Sequence, residues 1–203
     1  MRRSPYDREI LVLALPALGA LAAEPLYLLA DTAIVGHLGT PQLAALALAA
    51  TVLSTLVSLC IFLTYGTTAR VSRLHGAGAH AAAAEMAAQA LWLAVGVGAG
   101  VVIVVVALAD PLIALLGGEG DVAAMAARYL RISVLGAPMA LIALAAQGWL
   151  RGVGDLRTPL VIVVAANALN VVLEVLFVYG FGWGLDGSAA GTVVAQLGMG
   201  AAF

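Results

Sequence analysis

Long apolar stretches separated by short polar or glycine-containing breaks set the pattern of this chain. A bilayer core about 30 Å thick is crossed by about 20 apolar residues in a helix. Stretches of that size run from Ile10 to Val35, Leu43 to Ala69, Met86 to Ala109, Ile132 to Leu150 and Leu160 to Leu185, with a sixth from Ser188 to Phe203. The pattern predicts an all-α membrane protein built as a six-helix transmembrane bundle. The sixth stretch is short for a crossing and ends on Ala201, Ala202 and Phe203 with no polar flank or basic anchor. We therefore expect a truncated sixth helix and a chain that is a fragment of a longer one. The first stretch follows Arg2 and Arg3, yet it is too long for a signal peptide and holds Glu24 and Asp31, so it reads as a retained helix.

Composition narrows the class. Of 203 residues, 64% are apolar and 10% charged, against about 45–50% and about 25% in globular domains. The mean hydropathy of +1.09 excludes a surface wetted on all sides. A net charge of −2 and nine scattered arginines offer no field for nucleic acid. The single cysteine, Cys60, excludes an intrachain disulfide, and His37, His75 and His80 lack metal-ligand spacing. Neither a His-Glu-x-x-His nor a Gly-x-Ser-x-Gly motif occurs, and no nucleophile stands at workable spacing from a base, so an enzyme is not expected.

Arginine placement gives an orientation. Arg2, Arg3 and Arg8 precede the first helix, Arg70 and Arg73 follow the second, and Arg151 and Arg157 follow the fourth. The opposite loops, Gly36 to Gln42, Asp110 to Gly120 and Asp186 to Gly187, contain no arginine, so the amino terminus is expected in the cytoplasm and the protein in the cytoplasmic membrane. Arg128 and Arg131 depart from this rule at the outer start of the fourth helix, where snorkelling toward headgroups is expected. Gly96 and Gly100, four apart in the third helix, are expected to let a neighbouring helix approach closely. Pro16 and Pro25 in the first helix and Pro138 in the fourth permit kinks, and Pro25 lies between Glu24 and Asp31, where a bend could respond to a carboxylate's charge.

Carboxylates within membrane spans are costly and usually face a polar interior. Glu24, Tyr27 and Asp31 lie on one face of the first helix, and Asn167, Asn170 and Glu174 repeat that spacing on the fifth. Turning both stripes toward one shared cavity is the economical arrangement. Oxygen ligands from Asp31, Asn170 and Glu174, joined by a hydroxyl such as Thr192, suit a proton or a small hard cation such as sodium. The alternative is that these groups only hydrogen-bond neighbouring helices.

Several segments together resemble a known family. They are Leu29-Ala30-Asp31-Thr32-Ala33-Ile34-Val35-Gly36-His37-Leu38-Gly39, then Tyr129-Leu130-Arg131-Ile132 with Pro138, then Gln147-Gly148-Trp149-Leu150-Arg151-Gly152-x-Gly154-Asp155 with Arg157-Thr158-Pro159, and finally Asn170-x-x-x-Glu174 before a glycine-rich turn. In this order, over nearly the whole chain, they resemble the multidrug and toxic compound extrusion (MATE) transporters, nearest their DNA-damage-inducible-F-like branch. The resemblance implies a twelve-helix, two-lobe exporter of which residues 1–203 are the amino-terminal lobe, the carboxy-terminal lobe being absent. It implies a cation site at Asp31, Asn170, Glu174 and Thr192, and a substrate path touching Glu24, Tyr27, Gln147 and Asn167. The family often carries aspartate where this chain has Glu174 and an amide where it has Glu24. The implied activity is antiport of a small organic, often cationic, compound against H+ or Na+, with no other cofactor and with membrane lipid as surroundings. Two other readings stand beside it: a lipid-linked sugar flippase-like transporter, whose cavity would be basic, and a non-transporting scaffold subunit.

Overall fold

The computed structural model describes residues 7–203, with side chains at positions 18, 19, 22 and from 25 onward. Among the described residues the chain forms eight α-helices: α1 (Asp7–Gly36), α2 (Thr40–Leu59), α3 (Phe62–Gly76), α4 (His80–Leu115), α5 (Gly120–Ser133), α6 (Ala137–Gly152), α7 (Arg157–Val175) and α8 (Gly184–Ala202). Four helical segments, Thr40–Gly76, His80–Leu115, Gly120–Gly152 and Arg157–Gly180, are long and apolar enough to cross a membrane. With α1 and α8 they make a six-segment bundle. The protein is a multi-pass, all-helical membrane protein. Large apolar side chains such as Trp92, Ile103 and Leu115 lie on its outside, as expected where the solvent is lipid.

Three predicted boundaries are corrected. The second span is not one helix over Leu43–Ala69: α2 and α3 meet at Cys60 and Ile61, and together they reach Gly76. No glycine or proline marks the joint. The Cys60 N–H is shared between the carbonyls of Leu56 and Val57, a local tightening that hydropathy does not register. The fourth span begins at Gly120 rather than Ile132, and it is divided by a 3₁₀ turn, Val134–Gly136, just before Pro138. The helix restarts with that proline in its first turn, where no backbone donor is lost. The late predicted start came from reading Arg128 and Arg131 as helix-end residues. They lie within α5, paired with Asp186 at 2.7 Å and Asp110 at 2.6 Å. Neither is a free snorkelling cation, and Asp110 and Asp186 belong to α4 and α8 rather than to loops. The fifth span ends at Gly180, not Leu185, through a π-helical turn, Leu176–Gly180. α1 continues unbroken through Pro16 and Pro25.

The close helix approaches also differ from expectation. Gly96 and Gly100 face open space, whereas Gly98 between them rests on Pro138 of α6. Two other glycine pairs, each four apart, form the tight crossings. Gly148 and Gly152 of α6 meet Thr64 and Val71 of α3, where a Cβ on Gly148 would stand 2.6 Å from the Thr64 carbonyl oxygen. Thr64 and Thr68 then donate across this contact to the carbonyls of Leu144 and Gly148, each at 2.9 Å. Gly187 and Gly191 of α8 meet Phe177 and Glu174. The small-xxx-small spacing thus operates where the facing helix supplies backbone or hydroxyl partners.

The segment Gly152 to Pro159 is a corner. Gly154, at φ 87°, lets the Asp155 N–H bond back to the Leu150 carbonyl at 2.8 Å, closing α6. The Asp155 carboxylate then accepts the N–H groups of Arg157 and Thr158 at 3.0 Å and the Thr158 hydroxyl at 2.6 Å, opening α7. The Thr158 hydroxyl and these backbone donors hold the Asp155 carboxyl below its ordinary range.

Three outcomes are expected from these contacts. In thermal unfolding of the chain in detergent, Gly148→Val costs about 1–3 kcal/mol through overpacking, while Gly96→Ala is neutral or stabilising by about 0.5–1 kcal/mol. Asp155→Ala costs about 1 kcal/mol near neutral pH. Because the folded pKa is depressed, that contribution is present above the unfolded value near pH 4 and is lost as pH falls through the folded value. The stability gap between wild type and Asp155→Ala should therefore shrink on acidification.

Candidate functional site

Four helices bring a polar cluster into the apolar interior. Asp31 stands near the end of α1, Asn170 and Glu174 are one turn apart on α7, Ser188 and Thr192 are one turn apart on α8, and Tyr129 faces them from α5. Asp31, Asn170, Glu174 and Ser188 are each less than 5% exposed. The close α7–α8 crossing at Gly191 and Gly187 lets the Glu174 side chain sit against α8.

Hydrogen bonds order the cluster. Ser188 donates to Asp31 Oδ1 at 3.0 Å. Thr192 donates to the Ser188 carbonyl at 3.1 Å, so its oxygen is free to accept. It accepts the Asn170 amide at 3.3 Å and, its own proton being committed, the Tyr27 hydroxyl at 3.4 Å. Tyr129 lies beside the Ser188 hydroxyl. Just past Glu174, the π turn carries Tyr179, whose hydroxyl donates to the Ile34 carbonyl at 2.5 Å. That carbonyl belongs to the last turn of α1, where main-chain acceptors lack helical partners. The bond ties the end of α1, and with it Asp31, to α7.

The donors do not suffice. Glu174 lies beside both Asp31 and Ser188, yet Ser188 has given its proton to Asp31. Both Glu174 oxygens and Asn170 Oδ1 are buried without a hydrogen-bond partner. The pocket is therefore an acceptor-rich nest with two carboxylates and no arginine among them. Arg128 and Arg131 are engaged elsewhere, with Asp186 and Asp110. Among the described residues no group of three or more His, Cys, Asp or Glu side chains could hold a metal ion. The two carboxylates with Asn170 Oδ1 offer hard ligands that suit a proton or an alkali cation rather than zinc, while the Thr192 oxygen is taken by Asn170 and Tyr27.

The structure brings Asp31, Asn170, Glu174, Thr192 and Tyr27 together. Asn167 lies one turn before Asn170 on α7 and is half-buried. Gln147 is elsewhere, near the end of α6, where it accepts a hydrogen bond from Arg151 at 3.3 Å. The Glu24 side chain lies outside the described residues. Ser188 and Tyr129 belong to the cluster and were not singled out from the sequence. The four-residue spacing of Ser188, Thr192 and Gln196 on α8, and of Tyr129 and Ser133 on α5, is the signal that would have found them.

Comparison with known proteins adds a family match: the family described as MatE covers residues 16–176. DNA damage-inducible protein F of Escherichia coli is 37% identical over 94% of this chain and 42% of its own length. The probable multidrug resistance protein NorM of Thermotoga maritima is 29% identical over 93% of this chain and 42% of its own. A solved structure described as the outward-facing conformation of a multidrug resistance MATE family transporter superposes with a TM-score of 0.88 at 29% identity, covering 95% of this chain and 43% of its own. The chain thus spans about two fifths of the length of the relatives it matches.

The acceptor excess makes a specific prediction. Glu174→Gln places an N–H where two carboxylates now face each other, and it is expected to hold or raise the unfolding temperature of the chain in detergent at neutral pH. Asn170→Leu, which removes the donor to Thr192, is expected to cost about 1–3 kcal/mol in the same measurement.

Proposed function

The chain belongs to the MatE family of membrane transporters, and from that premise we propose that it forms one six-helix lobe, residues 1–203, of a two-lobed exporter. The lobe couples H+ or Na+ entry to the outward movement of small organic, often cationic, compounds. The observation that carries this reading is the buried pair Asp31 and Glu174, in which both Glu174 oxygens and the neighbouring Asn170 Oδ1 lack hydrogen-bond partners. A proton or small cation would relieve the crowding of two acids in such a pocket, and among the described residues no arginine is paired with either of them.

Asp31, Asn170 and Glu174 hold the coupling ion, with Thr192 bonded to Asn170 beside them, and Ser188 orients Asp31 for it. Tyr27, half-buried beside Thr192, lines the boundary between the ion and the exported compound, with Asn167 and Glu24 along the same path. Coupling follows from charge competition. An empty acidic pocket favours an organic cation, and a proton or sodium ion removes that attraction. Rocking of two lobes about the cavity would alternate its access. A pyrophosphate-bearing lipid is disfavoured, because no arginine reaches the pocket to hold it. The arginine distribution, with Arg128 and Arg131 neutralised by ion pairs, favours a cytoplasmic amino terminus in the cytoplasmic membrane.

The reading is tested in two steps. The 203-residue chain in nanodiscs should show a melting temperature that rises with Na+ or with acidification, and Asp31→Asn, which keeps shape and deletes charge, should abolish that response. The same chain alone in liposomes should not move ethidium under an imposed ion gradient, whereas a complete two-lobed transporter carrying these residues should, and should stop on Asp31→Asn. Insensitivity of both measurements to Asp31→Asn would leave a scaffold role as the better account.

A further inference from the structure

Three carbonyls of the last turn of α1 are met in three different ways. The Val35 carbonyl accepts the Leu38 N–H at 2.9 Å, and the His37 ring nitrogen Nδ1 stands 2.6 Å from the Ala33 carbonyl. Between them, the Ile34 carbonyl takes its bond from another element, the Tyr179 hydroxyl in the π turn after α7, at 2.5 Å. The Leu38 N–H would have served Ile34 in a continuing α-helix, but it has gone to Val35.

Tyr179 reaches this carbonyl through the irregular turn. Five residues of uninterrupted α-helix would carry it about 140° round the axis from Glu174. The bond from the Phe181 N–H to the Leu176 carbonyl, at 2.9 Å, spans five residues instead of four and takes up part of that rotation. The link falls where it bears on both acids: Ile34 follows Asp31 by three residues on α1, and the π turn begins two residues after Glu174. The bonds of Asp31 with Ser188 and of Tyr27 with Thr192 run to α8, whereas that of Tyr179 joins α1 to the helix that carries Glu174. Its ring is exposed, so the hydroxyl rather than burial holds it there.

We propose that Tyr179 is a positioning residue for the acidic pocket: its hydroxyl latches the end of α1 to α7, sets the approach of Asp31 to Glu174, and so raises the affinity of the pair for a proton or small cation. This rests on the ion-coupling reading of that pocket. A cation shared by two acids gains most when both can reach it, and holding α1 in place beforehand removes the ordering that binding would otherwise have to supply. By reciprocity an ion between Asp31 and Glu174 tightens the latch, and the end of α1 loosens when the ion leaves.

Tyr179→Phe deletes one oxygen and keeps the ring. In nanodiscs containing the 203-residue chain, the melting temperature is followed while Na+ is titrated at fixed pH, and again on acidification. The midpoint of its rise should move about fivefold toward higher ion concentration in Tyr179→Phe, the scale of one hydrogen bond. A tyrosine that only capped the helix end would lower the melting temperature at every ion concentration and leave the midpoint in place. Phe181→Leu removes a ring packed on Phe177 and Trp183 at the same turn without touching the bond, and should keep the wild-type midpoint. Amide hydrogen exchange over residues 33–38, read by mass spectrometry, should quicken in Tyr179→Phe. An unmoved midpoint in Tyr179→Phe, an equal shift in Phe181→Leu, or unchanged exchange at the end of α1 overturns the latch and leaves ion coupling standing. A wild-type chain that responds to neither ion overturns the coupling reading and the latch with it.

Discussion

Two carboxylates share one buried pocket, and the bundle around them is organised by that fact. Two like unit charges about 4 Å apart repel by about 4 kcal/mol at an effective dielectric near 20, and each also loses hydration on burial. An arginine in the pocket would cancel the repulsion, yet Arg128 and Arg131 are held by Asp186 and Asp110 instead. The Ser188 and Asn170 donors orient the site, and the proposed proton or small cation would supply the relief that they do not.

Backbone geometry keeps the pair in place. Glu174 reaches α8 because Gly187 and Gly191 let α7 and α8 cross at backbone distance. Immediately after Glu174 the helix widens into a π turn, a distortion found preferentially at functional sites. The turn presents Tyr179 to an otherwise orphaned carbonyl of α1. Glu174 is thus positioned by the α7–α8 crossing, and Asp31 by the Tyr179–Ile34 bond that ties the end of α1 to the π turn.

Much of this was legible in the sequence, for identifiable reasons. Six apolar segments and the shared face of Asn170 and Glu174 follow from periodicity and length alone. Asp31 and Glu174 stood out because acids are rare in apolar spans. What failed were features set by a facing helix. Gly96 and Gly100 look like a packing pair in isolation but have no neighbour, while Gly148 with Gly152 and Gly187 with Gly191 acquire meaning only from Thr64 and Phe177 opposite them. The start of the fourth span was missed because Arg128 and Arg131 resemble a boundary until their acidic partners on α8 and α4 are known. The joint at Cys60 and Ile61 has no composition signal at all.

A cluster whose task was only to join helices would be expected to match donors to acceptors, because an unmatched polar atom in a lipid-bounded interior weakens the very contact it serves. At the α3–α6 contact and at the start of α7 that matching is seen: Thr64 and Thr68 each find a carbonyl of α6, and Asp155 satisfies the first turn of α7. At the junction of α1, α7 and α8 it is not, and the deficit is one-sided: Glu174 Oε1, Glu174 Oε2 and Asn170 Oδ1 are all acceptors. An acceptor excess centred on two acids is the feature on which the proposed site for a proton or small cation rests, and its contrast with the matched α3–α6 contact is the argument for that proposal over a purely structural role.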